Sequence, residues 1–175
     1  MDLYLARHGD HRIPDPNSKY KTSLTQQSIA EIEIVAKTIL KSKLDNPVVF
    51  TSPLPYCYES AKIIHNQVRK KNNRNTTKKN ILLTSDHLLP ERNRIEFYKI
   101  LSNYTFKSSV IVVGHEPYLT RMITDIIYLN SGNSDLNHNL LRKSGLAKLV
   151  VHSFTPSIIG ELRWLLTPRI LKMIN

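Results

Sequence analysis

The chain has 175 residues, and at ~150 residues per domain that leaves room for one domain, residues 1–175, with no second. Hydrophobic residues make up 41% and charged residues 22%, a globular balance that excludes disorder, and the single cysteine excludes an internal disulfide, so a reducing cytoplasm is the expected compartment. The formal charge of +11 calls for an acidic partner or ligand, or else is a plain soluble basic surface; no apolar run approaches the ~18 residues of a membrane span, and the opening MDLYLARHG carries no secretory pattern.

Short β-rich apolar runs alternate with longer helical patterns, which predicts an α/β fold. DLYLA, residues 2–6, reads as the first strand. A helix follows over 25–42, with Ile29, Ile32, Ala36, Ile39 and Leu40 on one face. Ser23 with Gln26 offers a capping box at its start, and Thr25 offers an alternative cap. VVFT (48–51) reads as a strand, 56–70 as a helix, ILLT (81–84) as a strand and 93–103 as a helix. VIVV (110–113) is a fourth strand and 118–130 a fourth helix. LAKLVVH (146–152) and ELRWLL (161–166) flank the turn FTPSIIG and predict an antiparallel hairpin at one sheet edge. Strands linked by helices should lie parallel with both faces covered, giving a three-layer α/β/α arrangement around a mostly parallel central sheet.

Much of the positive charge is local. RKKNNRNTTKK, residues 69–79, holds six basic residues and no acidic one, lacks apolar periodicity and reads as a solvated loop. It also lacks the interleaved aromatics of a single-strand nucleic-acid platform, which argues against nucleic acid as a partner.

In open α/β sheets, ligands sit beyond the carboxyl ends of the strands. Two histidines fall there, each beside a glycine: His8 in ARHGD after the first strand, and His115 in VVGHEP after the fourth. A neutral imidazole is a competent nucleophile toward phosphorus, because its nitrogen needs no deprotonation near pH 7. Arg7 supplies a permanently charged planar fork suited to phosphate oxygens. A second histidine, if protonated, would hydrogen-bond the same oxygens as charge gathers in the transition state. Gly9 and Gly114 let the backbone approach closely and turn sharply. The chemistry indicated is phosphoryl transfer through a phosphohistidine.

Other signals are weaker. Cys57 lacks the arginine that a C-x5-R phosphatase loop needs, since that position is Ile63. His8, Asp10 and His11 imitate a metal cluster, but the adjacent Arg7 would repel a cation, so no metal is expected. No phosphate-binding glycine loop of the usual nucleotide kinds is present in the sequence. His65, His87, His138 and His152 have no partner context and read as surface or structural, and Trp164 reads as core.

LARHGD, then TSPL with ESAKII, then VVGHEPYL resemble the histidine phosphatase, or phosphoglycerate mutase-like, superfamily over nearly the whole chain. The short length, the aspartate after RHG, the LT opening of the first helix and the ending ELRWLLTPRILKMIN resemble its SixA branch of phosphohistidine phosphatases. The resemblance implies that His8 becomes phosphorylated, that Arg7, Gly9 and His115 belong to the phosphate pocket, and that no metal or organic cofactor is required. It implies a phosphorylated protein as substrate and phosphate or a similar anion in the pocket. Lys21, in KTSLT, falls near a basic residue of SixA-like sequences, and reads either as a phosphate ligand or as a loop lysine. Glu91 in LLPER and Glu116 after His115 are the candidate general acids, or else exposed loop carboxylates.

One departure stands out. The family pattern SPxxRAxQTA becomes SPLPYCYESA here, which puts Tyr56 where a second phosphate arginine belongs. A phenol offers one donor in place of five, and losing a pre-organised donor typically costs about 10² to 10³ in rate. Lys62 is off the same helix face and a poor stand-in, while Arg12 in the loop after His8 is a freer candidate. Two other readings follow: a phosphoryl-binding module that has lost turnover, or a small-molecule phosphomonoesterase, which would need a proper acid and larger covering insertions.

Overall fold

In the computed structural model, residues 1–12, 23–72, 81–104, 108–128 and 140–175 are described. The four strands joined by helices are short apolar runs, and their burial deepens from the edge strand toward the middle of the sheet. They are β1 (Asp2–Arg7), β2 (Val48–Thr51), β3 (Ile81–Thr84) and β4 (Ser109–Gly114). The last two, β5 (Leu146–Ser153) and β6 (Ile159–Leu166), form the hairpin. One six-stranded sheet takes them in the order β3-β2-β4-β1-β5-β6. The pairs β3-β2, β2-β4 and β4-β1 are parallel, and β5 runs antiparallel to both β1 and β6. Every residue of β2 and β4 is buried, whereas the edge strand β3 has both ends exposed.

Alternation along the strands sorts side chains onto two faces. On one face Tyr4, Ala6, Val49, Ile111 and Val113 pack against α1 (Gln26–Lys41), α2 (Pro55–Asn72) and the short α5 (Pro168–Met173). On the other, Leu3, Leu5, Phe50, Val110 and Val112 pack against α3 (Arg94–Ser102) and α4 (Tyr118–Ile127). The α/β/α layering and the mostly parallel sheet with an edge hairpin therefore match the sequence reading.

The differences have local causes. Thr25 caps α1, accepting a hydrogen bond from the Ser28 amide, because Ser23 is occupied elsewhere: its amide and hydroxyl both donate to the Glu59 carboxylate. The first part of the basic stretch, Arg69–Asn72, is helical rather than loop, since Arg and Lys form helix well and favour its negative C-terminal end. Residues 73–80 of that stretch lie outside the described residues. The fourth helix stops at Ile127, and 129–130 fall outside the described residues. The 3-10 turn at Asp86–Leu88 and α5 were too short to show a period. Trp164 is half-buried rather than fully core, its ring 6.2 Å from that of Tyr4. Among the described residues, no helix is long and apolar enough to cross a membrane.

Candidate active site

Parallel pairing of β1 with β4 puts Arg7 opposite Gly114, so the residues that follow, His8 and His115, emerge side by side at one sheet end. The His8 amide donates to the Gly114 carbonyl at 3.0 Å, and on the other side of β4 the Ser52 amide donates to Val113 at 3.2 Å. The three sequence segments RHG, SPL and GH thus meet at the carboxyl ends of β1, β2 and β4.

His8 is buried, only 4% exposed. Its Nδ1 lies 2.7 Å from the Gly9 carbonyl. A carbonyl only accepts, so Nδ1 carries the proton and Nε2 keeps a free lone pair. Burial, chiefly, pulls the imidazole pKa down to about 4, with smaller pushes in the same direction from His11, Arg7 and His115 and an opposing one from the Gly9 hydrogen bond. The ring is therefore neutral at pH 7 with its nucleophilic nitrogen defined.

The backbone around it is tied on both sides. The Ser144 amide donates to the His8 carbonyl at 3.0 Å, and the Gly9 amide donates to Ser60 Oγ at 3.1 Å. Ser60 in turn donates to the Tyr56 carbonyl in the first turn of α2. A Cβ on Gly9 would stand 2.7 Å from Ser28 Cβ, so a glycine is needed here for room. No glycine among the described residues has a positive φ, so Gly9 and Gly114 serve close approach rather than a left-handed backbone. Asp10, the imitation of a metal ligand, forms an ion pair with Lys143. Among the described residues, no three His, Cys, Asp or Glu side chains gather as a metal cage would require.

Arg7 is half-buried; one Nη donates to the Leu141 carbonyl at 2.8 Å, and its Nε has no partner among the described residues. Burial is the main force lowering its pKa, with Glu116 opposing. His115 is buried, and neither ring nitrogen has a partner among the described residues. Burial, then Arg7, lowers its pKa, so near pH 7 the ring is neutral and offers a single N–H donor. An imidazole and a guanidinium with unpaired buried nitrogens are costly unless an acceptor arrives, and an oxyanion is the natural one.

Tyr56 does line this pocket. Its ring stacks on His11 with centroids 4.0 Å apart and planes 15° from parallel, and lies 4.4 Å from the His8 ring. The position that would carry an arginine is thus filled by an aromatic contact. Lys62 is exposed further along α2, Arg12 is exposed in the loop, and Lys21 lies outside the described residues. Glu91 is exposed, sits in the left-handed region at φ 63°, and lines a cavity of about 140 Å³ with His115. Glu116 is engaged structurally, since its carboxylate accepts from the Thr120 amide, the Thr120 hydroxyl and the Leu141 amide, clamping α4 to the segment that holds Arg7. Sequence reasoning missed this role of Glu116 and that of Glu59, which grips Ser23 and Leu24 beside the His8 loop. Only their carboxylates hinted at it. Cys57 is buried and its thiol is pushed up to about 12, which leaves it inert. His152 meets Glu161 on the surface, the His87 side chain is exposed, and His138 lies outside the described residues.

No protein-family model and no curated protein sequence matches the chain. Solved structures do. The protein histidine phosphatase SixA complexed with tungstate superposes with a TM-score of 0.70 at 16% identity, covering 98% of this chain and 99% of that one. A SixA structure from Agrobacterium tumefaciens, provisionally described as a phosphohistidine phosphatase, gives 0.63 at 19% identity over 95% and 97% of the two chains. A mycobacterial glucosyl-3-phosphoglycerate phosphatase with VO3 gives 0.64 at 12% identity over 93% and 97%. The chain has the phosphoglycerate mutase-like fold that these phosphatases share.

Proposed function

We propose that the protein is a phosphatase that removes phosphate from a protein phosphohistidine through a phospho-His8 intermediate. One observation carries the reading: a buried, neutral His8 whose Nδ1 is spent on Gly9, set beside Arg7 and a His115 with unpaired nitrogens. Nε2 of His8 attacks phosphorus in line while Arg7 and His115 hold the non-bridging oxygens. The substrate's N–P bond breaks, and its imidazole leaves with a proton from solvent or already protonated. Water then attacks phosphorus, the Nε2–P bond breaks, orthophosphate departs, and the excess proton passes to solvent. Such a leaving group does without a strong general acid, which suits a site where Glu116 is engaged in structural hydrogen bonds. A phosphoprotein of a phosphotransfer system, in the cytoplasm, is the partner this reading names.

Incubation with a 32P-phosphohistidine protein should label His8 with a base-stable, acid-labile phosphoryl group, and His8→Ala should lose both label and turnover while keeping its melting temperature. Turnover retained by that variant would remove His8 as nucleophile. Tyr56 in the pocket favours a second reading, a phosphoryl-binding module without turnover. That module would bind tungstate yet never label.

A further inference from the structure

The cavity on the far side of His115 is richer in cations than the transfer of one phosphoryl group requires. Arg92, Arg94 and Arg121 line it together with His115, Glu91 and Tyr118. Tyr118 fixes its shape by donating to the His87 carbonyl at 2.7 Å, which pins the turn before Arg92 onto the start of α4. The three guanidiniums are not equivalent. Arg94 is neutralised: its Nε donates to Asp125 at 2.7 Å, and Tyr98 holds the same carboxylate. Arg92 and Arg121 have no carboxylate partner among the described residues, and Glu91, exposed on the same wall, pairs with neither.

Two unneutralised guanidiniums converging on one small cavity repel each other, and that cost falls when an anion enters between them. The cavity volume of about 140 Å³ suits a carboxylate or a phosphate and little more. Because His115 forms one wall, a group held there lies next to the phosphoryl group under transfer.

We infer that this bay is a second anion subsite, where Arg92 and Arg121 hold a carboxylate or second phosphate of the substrate beside the phosphoryl group. The inference rests on the phosphatase reading and names its substrate class: molecules or peptide segments that carry a further negative charge close to the scissile phosphorus. On a phosphoprotein, that charge comes from an acidic side chain beside the phosphohistidine. On a small metabolite, it comes from a carboxylate or phosphate of the same molecule.

Two substrate pairs separate these sources: a phosphohistidine peptide with aspartate as its neighbour against the asparagine peptide, and phosphoglycolate against ethyl phosphate. The acidic member of at least one pair should show a KM lower by about 10-fold, the fold-change of a charge-assisted contact. In the Arg92→Gln, Arg121→Gln double variant that preference should fall toward unity, with kcat/KM for the uncharged member unchanged within about 2-fold. Equal KM values within both pairs, or a preference that survives the double substitution, would overturn the subsite. So would an equal loss on charged and uncharged members, which would place the arginines on the phosphoryl group itself. Calorimetric binding of phosphoglycolate and ethyl phosphate at fixed ionic strength reads the bay without turnover. If charge-dependent, arginine-dependent binding persists in a protein that never turns over, the phosphatase reading fails and the subsite stands. If the binding shows no such dependence, the subsite fails whatever the catalysis.

Discussion

Protonating His8 takes away the Nε2 lone pair that the proposed mechanism uses, and the pH at which that happens is set by burial. With the imidazole at about 4, an NMR titration of its ring should show a midpoint more than two units below that of an exposed histidine. A midpoint at 6.5 or above would mean that solvent reaches the ring freely. The same displacement has a stability consequence. His8 and His115 are both held neutral in the folded chain, so the unfolded chain takes up protons first as the solution is acidified. Their contribution is fully present above about pH 6.5 and is lost as pH falls from there toward 4. Tyr56 raises a different question at this scale. Replacing it with arginine should restore a bidentate contact to the phosphoryl oxygens and raise kcat/KM by about 10-fold. Losing the stack on His11 should cost about 1 kcal/mol of stability. Steady-state rates beside a thermal melt give both numbers, and a folded variant with flat or lower activity would show that the missing arginine does not limit the rate.

Between residues and fold, the elements are joined by a few carboxylates. Glu116 accepts from Thr120 in the first turn of α4 and holds the Leu141 amide, and the Leu141 carbonyl in turn receives Arg7, so one side chain sets two walls of the pocket. Glu116→Gln gives one of its two acceptor oxygens up to a donor, and should cost about 2 kcal/mol while weakening anion binding through Arg7. An unchanged melt would mean that the clamp is dispensable. This is also where sequence reading ran out. The strands were legible as short apolar runs, and the rule that ligands sit at strand ends picked out His8 and His115. Tyr56 was visible because a motif expected arginine there. Glu116 and Glu59 were not legible as clamps, because a carboxylate that accepts backbone amides leaves no period and no motif. The bay of Arg92 and Arg121 was hidden for a related reason: its two arginines come from a loop and from α4, and only folding brings them together.

Across the whole molecule, the excess of 25 basic over 14 acidic residues is partly directed at the end of the sheet that holds Arg7 and the arginine bay. An anion there should stabilise the entire chain, since the six-stranded sheet draws its strands from residue 2 to residue 166. Unfolding should be a single cooperative transition. Tungstate at a hundredfold excess over its Kd should add about 2.7 kcal/mol and raise the Tm by roughly 5–10 °C. Arg7→Ala should abolish most of that shift. A scan with two separated transitions, or an anion that moves only one of them, would break the chain into independent parts.

The strand order also has a consequence in time. β1 ends just before His8 and is the first of the six strands to be made, yet its neighbours in the sheet are Ser109–Gly114 and Leu146–Val150, which are made much later. At synthesis rates of roughly 5–20 residues per second, His8 waits on the order of 10 s before the Gly114 carbonyl and the Ser144 amide that hold its backbone exist. Nascent chains that lack β4 and β5 therefore hold the reactive imidazole in water as an ordinary side chain. The reactivity proposed for His8 would arrive late and all at once, with closure of the most sequence-distant pairings in the fold, the kind that slows folding most.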